Sequence, residues 1–421
     1  MYLANKENIF FLIFSFLPIS IILGSTISLV NIIIINLIFL GVLIHQKNFG
    51  FINHIAVKLL FILYLYLIFN SLISQNYEIG LARNIGFIRI IILFIFINYF
   101  FFYLNNEKKL FDFWTIILSI LIFDIFIEYF FDTNLLGWGA SVVDGVPQPD
   151  GNRITSFFID EPVAGSFLLA FIFLVFGHNF KKKNKKFFVI IFFLLAFIAL
   201  ILTGERSNTI KIFLGITIFF LFVDFIKIKT KIIIFLMLSV TFGTIITKSE
   251  YIKLRYVGQL FNLINSKENA QKFWKENLYF RLHRSGFEVF KNYPIFGVGN
   301  KNYRVEACKK YTTLSDNEKK YYLCQTHPHQ IYFELLSEHG LFGTIIILGI
   351  LFYLMFNILK SILISRNYVQ IGTFIFVLIN FIPILPSGSF FSDFNSVLFW
   401  INFSIMFGCN KATNIFAKRS N

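Results

Sequence analysis

The chain has 421 residues, 57% of them hydrophobic, with a mean hydropathy of +0.71. Those values exclude a soluble globular domain and read as an integral membrane protein. The 38 basic against 23 acidic residues give a net charge of +15, yet no compact basic domain with interleaved base-stacking aromatics accompanies it, so nucleic acid is excluded as a partner. The charge reads instead as orientation signal and affinity for the headgroups of membrane lipids.

Runs of roughly twenty apolar residues, the length that crosses about 30 Å of hydrocarbon as a helix, recur along the chain. The first five lie near 8–24, 27–44, 56–74, 85–104 and 112–131. The earliest reads as a permanent span and not a removable signal, because a second span follows at once with no small-x-small cleavage site. A loop rich in Gly, Pro and Asp at 132–160 precedes spans near 162–179, 187–203, 209–226 and 232–247. A long hydrophilic region, 248–329, then leads to spans near 330–358, 368–386 and 390–409. The expectation is an all-α membrane protein of about twelve helices. It divides into N-terminal spans (1–131), central spans with their outer loop (132–247), a large outer loop carrying short helices (248–329) and C-terminal spans (330–421).

Lysines crowd alternate connections: Lys47 and Lys58, Lys108 and Lys109, Lys181 to Lys186, Lys227 to Lys231, then Lys360, Arg366, Lys411, Lys418 and Arg419. The intervening loops carry Asp144, Asp150, Asp160 and Glu161 instead. By the positive-inside rule the lysine loops and both termini are cytoplasmic. Within the spans the only acids of note, Asp124, Glu128 and Asp224, fall near span ends.

Loops as long as 248–329 usually act or carry their own structure. Inside it, Tyr279–Tyr293 places Phe280, His283, Phe287 and Phe290 near helical spacing, and Pro294 with the glycines of IFGVGN ends the run. An amphipathic helix on the outer leaflet is expected, either as part of a site or as a capping helix without chemistry. Cys308 and Cys324 share this outer loop, whereas Cys409 lies at the cytoplasmic end of the last span. The pair is a candidate disulfide. The alternative, zinc held by Cys308, Cys324, His327 and His329, fits no standard ligand spacing.

The segment THPHQIYFELLSEHGLFG, 326–343, puts two histidines and two glutamates where the polar loop enters an apolar helix. Titratable groups beside membrane segments are functional candidates by default. His329 at the helix start is placed to take a proton from a hydroxyl, while His327 reads as structural. Glu338 is too far along the helix to touch His329 and would order the helix or another element, and His339–Gly340 marks a local helix irregularity. Arg153, Arg206 and one of Arg281 or Arg284 fall on the same outer side. A guanidinium keeps its charge when partly desolvated and grips phosphate oxygens with a planar fork. Singly, each arginine is better explained by a neighbour, Arg206 by Glu205 and Arg153 by Asp160 or Glu161; together with a histidine they point to a diphosphate.

At these residues the sequence resembles the O-antigen ligase and polymerase family of bacterial membrane glycosyltransferases. HPHQIYFELLSEHGLFG is similar to the family's His-Asn segment followed by Glu-x-Gly, FKNYPIFGVGNKNYR to its Pro-x-x-Gly-x-Gly segment, and LTGERSN to its Thr-x-Ser-Arg junction. The likeness covers 150–345, with Gln330 where Asn is usual and Glu205 where Ser is usual. It implies a GT-C-like helical fold in the bacterial inner membrane with a periplasmic active site. It also implies a metal-independent, inverting transfer that needs no cofactor, from an undecaprenyl-diphosphate-linked oligosaccharide donor to a glycan acceptor, either a lipid-linked repeat unit or lipid A-core. His329 takes the place of the catalytic histidine and Arg206 that of an essential arginine; the loop arginine is Arg281 or Arg284. A polymerase is slightly favoured by the first outer loop and the Cys-bounded loop. A protein O-oligosaccharyltransferase and, in a different class, a lipid-linked oligosaccharide flippase are the alternatives. A flippase would need charge distributed through the membrane depth.

Overall fold

A computed structural model describes residues 2–104, 106–139, 142–143, 146–147, 153–159, 161–180, 186–223, 227–253, 256–257, 277–315 and 320–417. Asp144, Asp150, Asp160, Asp224, Lys181 to Lys185, Lys418 and Arg419 lie outside the described residues. Each of the twelve apolar segments is helical over most of its described residues. The first half comprises α1 (Tyr2–Ser15), α2 (Leu17–Ile22), α3 (Ser25–Gln46), α4 (Ile55–Leu72), α5 (Tyr77–Gly86), α6 (Ile88–Tyr103) and α7 (Glu107–Phe131). A short hairpin follows, β1 (Val142–Val143) pairing antiparallel with β2 (Val146–Pro147). Then come α8 (Ala164–Phe180), α9 (Lys186–Leu202), α10 (Arg206–Phe222), α11 (Ile228–Lys248), α12 (Glu250–Lys253), α13 (Leu278–Asn292), α14 (Tyr303–Thr313), α15 (Ile331–Ser365), α16 (Tyr368–Ile379) and α17 (Asp393–Gly408).

Among the described residues six stretches are long and apolar enough to cross a membrane: Ser25–Gln46, Ile55–Leu72, Tyr77–Tyr103, Glu107–Phe131, Ile228–Lys248 and Ile331–Ser365. Helices apolar on every face are either lipid-bathed or enclosed by other helices, and both kinds occur. In α11 only Leu238 is fully buried, with Ile234, Phe242, Ile245 and Ile246 half-covered on the same core and Ile232, Ile233, Leu236, Met237 and Val240 open. By contrast α8 is buried over almost its whole length, wedged against α7, α9, α16 and α17. Phenylalanines fill the spaces between these helices, with Phe176 and Phe193 rings 4.3 Å apart and Phe167 and Phe171 rings 4.7 Å apart. Aromatic pairs at such separations add to simple area burial.

Successive helices α7 and α8 run in opposite directions, whereas α6 and α17 start at the same end and pack in parallel. His178 near the end of α8 meets Asp112 near the start of α7 at 2.8 Å. At the opposite end Arg83 of α5 and Arg89 of α6 both grip Asp393 at the start of α17, at 2.8 and 2.9 Å. Three connections gather at that second end: the described turn 153–159 before α8, 203–205 and 380–392. The last was expected to be helical to 386, but α16 stops at Ile379. Pro383 and Pro386 lack the N–H that a helix needs and clash with the preceding turn, and Gly388 adds a flexible joint. The chain from 380 to 392 becomes an irregular strap.

The hydrophilic region forms a small module on the same end. Val289, Val298, Tyr303, Ala307 and Tyr322 make its own core, and Cys308 is disulfide-bonded to Cys324 with Cα atoms 4.2 Å apart. Tyr303 donates from its hydroxyl to Ser285 at 2.7 Å, and the Leu323 N–H donates to the same oxygen at 3.1 Å. The helix α13 rests on protein through Leu282, His283, Ser285, Gly286 and Val289, whereas Phe287 of the expected apolar face is 43% exposed.

The module is clamped to α15 at a break in that helix. Gly340 has φ 63° and ψ −170°, a conformation essentially reserved for glycine. The break frees the N–H groups of Leu341 and Phe342, which donate to the carbonyls of Pro294 and Ile295 at 2.8 and 3.1 Å. In return Val298 and Gly299 donate to the carbonyls of Ser337 and Glu338 at 3.0 and 2.9 Å. The IFGVGN run is thus a docking strip, and the irregularity expected at His339–Gly340 is what receives it.

Candidate active site

The cavity at this end has a volume of about 510 Å³. Its charged lining consists of Arg153, Glu205, Arg206 and Lys211, with His283 and His329 beside them. Its apolar wall includes Leu169, Ile210, Phe376 and Phe399, and the strap contributes Ile384 to Gly388. Arg153, Arg206 and His329, 176 residues apart from first to last by their numbering, thus meet around one space.

His329 is held in an unusual backbone state, φ 55°. Left-handed conformations are uncommon for residues other than glycine and tend to persist where the surroundings fix them. Here Ser387 of the strap donates its N–H to the His329 carbonyl at 2.8 Å. The next residue, Gln330, caps α15 by accepting from the Phe333 N–H at 3.0 Å, so the Gln that stands where Asn is usual has a definite task in ending the loop. Burial first, then the adjoining His327, lowers the pKa of His329 to about 4. The two rings lie 3.9 Å apart, centre to centre. His327 is lowered to about 4 by burial and then by the charge of Lys301, and its Nδ1 meets the Thr326 hydroxyl at 2.9 Å. Both imidazoles are neutral near pH 7, the state a proton acceptor requires.

Arg153 extends from the 153–159 turn to within 3.5 Å of the Tyr279 hydroxyl. Among the described residues it forms no ion pair, and its charge is felt instead by Glu205 and His329. Arg206 occupies the first turn of α10, whose leading N–H groups and dipole favour an anion. Glu205 stands just before it. Its oxygens accept from the Gly165 N–H at 2.6 Å, the Ser166 hydroxyl at 2.9 Å and the Asn208 amide at 2.5 Å. Gly165 permits this approach, since a Cβ there would sit 2.7 Å from the Glu205 oxygen. Burial pushes the Glu205 carboxyl up, opposed by those hydrogen bonds and by Arg153.

The remaining residues singled out in the sequence lie elsewhere. Arg281 and Arg284 do not line the cavity; the Arg284 guanidinium sits 5.7 Å over the exposed ring of Tyr321. Among the described residues no cluster of three His, Cys, Asp or Glu is placed to hold a metal. Glu338 is fully buried at the docking strip. Sequence reading overlooked Glu334, Ser389 and Lys301. Glu334 accepts from the Ser389 hydroxyl at 2.6 Å and the Phe390 N–H at 3.0 Å, and Lys301 donates to Ser389. This buried chain anchors the strap that in turn holds His329. It overlooked Lys211 as well, a lysine two residues inside the span expected from 209.

Residues 191–348 match the family model described as O-antigen ligase. Over that segment the chain is similar to the O-antigen ligase family. It spans α9, α10, the docked module and the first half of α15, and so includes Glu205, Arg206, Lys211 and the His327–Gly340 region. Arg153 and the strap complete the cavity from outside the matched segment. The family carries a ligase activity of glycosyltransferase type, acting between a lipid-linked glycan and an acceptor, in a multi-pass membrane protein. No curated protein matches the chain.

Proposed function

We propose that the chain transfers a glycan from an undecaprenyl-diphosphate-linked donor to an acceptor hydroxyl at the periplasmic face of the bacterial inner membrane. All twelve apolar segments would cross, with both termini cytoplasmic. The single supporting observation is that Arg153, Arg206 and a neutral His329 line one cavity with an apolar flank.

In this reading the arginines hold the diphosphate and stabilise the charge that grows as it departs. His329 accepts the proton of the acceptor hydroxyl, whose oxygen attacks the anomeric carbon from the face opposite the leaving group. The anomeric C–O bond breaks with inversion, and the diphosphate leaves on its lipid. The arginines supply the positive charge, so the transfer is metal-independent. The apolar wall beside the phosphate site suits the first isoprene units of the donor.

The acceptor is proposed to be a second lipid-linked repeat unit, which makes the chain a polymerase; lipid A-core would make it a ligase. Reconstitution with a lipid-diphosphate glycan and separate acceptors tests this. A ladder of lengths is expected. A single shift of lipid A-core would convert the reading to ligase, and glycosylation of a Ser or Thr peptide to a protein glycosyltransferase. Transbilayer movement of the donor without any transfer would overturn it in favour of a flippase.

A further inference from the structure

We infer that Lys211 is the ligand of the lipid-side phosphate of the donor, an inference that rests on the donor reading above. Lys211 is 4% exposed and lines the cavity from α10. Among the described residues its ammonium makes no hydrogen bond or ion pair. The nearest acid is Glu205, whose charge reaches it but whose oxygens are already taken by Gly165, Ser166 and Asn208. A buried ammonium without a partner is costly, and an ionisable group inside a membrane helix generally marks a site. The missing partner is an anion that enters the cavity.

Charge and depth identify that anion. Among the described residues the lining carries the cations Arg153, Arg206 and Lys211 beside the carboxylate Glu205, while His283 and His329 are neutral, both lowered to about 4 with burial as the first cause. Such a basic lining suits a diphosphate diester, which carries one negative charge on each phosphate. Lys211 follows Arg206 by five residues, placing its Cα about 7.5 Å further along the helix, away from the mouth. Helical side chains lean back toward the N-terminus, and a lysine stem can lie along apolar surface while its head reaches a polar site. The ammonium therefore approaches the Arg206 end from the membrane side. His329 marks the sugar end, so the deeper cation meets the phosphate that carries the lipid.

The full chain in lipid nanodiscs, titrated with undecaprenyl diphosphate and with undecaprenyl monophosphate, tests this. Lys211→Met is expected to weaken both lipids by about tenfold, and Arg206→Ala to weaken only the diphosphate by a similar factor. Lys211→Arg should restore both to within about threefold, with Lys211→Met melting no lower than wild type because an apolar side chain suits the site. Wild-type affinity of Lys211→Met for both lipids would overturn the inference, as would a loss confined to the diphosphate or a failure of Lys211→Arg to restore binding. Wild-type protein that binds neither lipid would instead overturn the donor reading itself.

Discussion

The backbone N–H of Ser387 donates to the carbonyl of His329 over 2.8 Å, tying the strap after α16 to the residue just before the Gln330 cap of α15. The strap is itself anchored by the Glu334 carboxylate through Ser389 and Phe390. The imidazole is thus presented from a backbone fixed on two sides. His329→Ala should leave the protein inserted and folded while glycan transfer falls by about 10²–10⁴, the range of a lost general base. Near-normal transfer by the purified variant would remove His329 from the proton-transfer step.

The low pKa of His329, about 4, sets the pH profile. A base must be unprotonated, so transfer should be flat through pH 6–8 and fall only as the pH drops toward about 4. Because folding lowers this pKa from its ordinary 6.5, the folded state resists protonation; the associated stability is complete above about 6.5 and is lost as pH falls through about 4. His327 is the second cause of the lowering, so His327→Ala should move the acid limb upward. A limb already centred near 6.5 in wild type would show that the ring is better hydrated than its burial implies.

Arg153 and Arg284 make opposite predictions although both are arginines of the same end of the molecule. Arg153 lines the cavity, while Arg284 covers Tyr321 outside it. Arg153→Ala should raise donor KM by about tenfold, whereas Arg284→Ala should stay within about twofold of wild type. Arg206→Lys should also lose turnover, since an ammonium cannot reproduce a bidentate grip. Equal effects at Arg153 and Arg284 in donor titrations would contradict the separation seen in the structure.

The helical segments were legible because apolar runs of this length have few alternatives. His329 and Arg206 stood out because charged groups beside such runs are rare. Three things were hidden. The strap at 380–392 looked like the end of a span, because Phe381, Ile382, Ile384 and Leu385 kept the hydropathy high while Pro383 and Pro386 broke the helix. The choice between loop arginines depended on how α13 turns: Leu282, His283 and Gly286 face inward, leaving Arg281 and Arg284 only partly covered and off the cavity. Lys211 was masked by the many lysines of the chain, and its burial is a tertiary fact that spacing along one helix does not reveal.

Gly340 is the joint on which the module docks. A Cβ there would collide with the Ile295 carbonyl, and the backbone angles exclude other residues. Gly340→Ala should cost about 1–3 kcal/mol or more and open the four hydrogen bonds between 294–299 and 337–342. Hydrogen exchange at Leu341 and Phe342 would report it. Unchanged protection at those amides would mean that the strip docks by side-chain packing alone.

Glu128 explains how Arg153 keeps its place. Its carboxylate accepts the N–H groups of Thr155 at 3.1 Å and Ser156 at 2.5 Å, while neighbouring Asp124 accepts the Leu135 N–H at 2.9 Å and the Ser156 hydroxyl. Ser156 sits at φ 52°, so these acceptors impose a turn that the residue would otherwise avoid. Two acids at the end of an apolar helix thereby shape the loop that carries Arg153. Glu128→Gln turns one acceptor into a donor facing an N–H, and each hydrogen bond to a charged group contributes about 1.5–3 kcal/mol. The variant should lose about that much stability and raise donor KM in the manner of Arg153→Ala. Its acid limb should rise no further than that of Arg153→Ala, since Glu128 reaches His329 only through the arginine whose charge helps to lower it. A displaced limb with unaltered donor KM would place Glu128 in the proton pathway and not beneath the arginine.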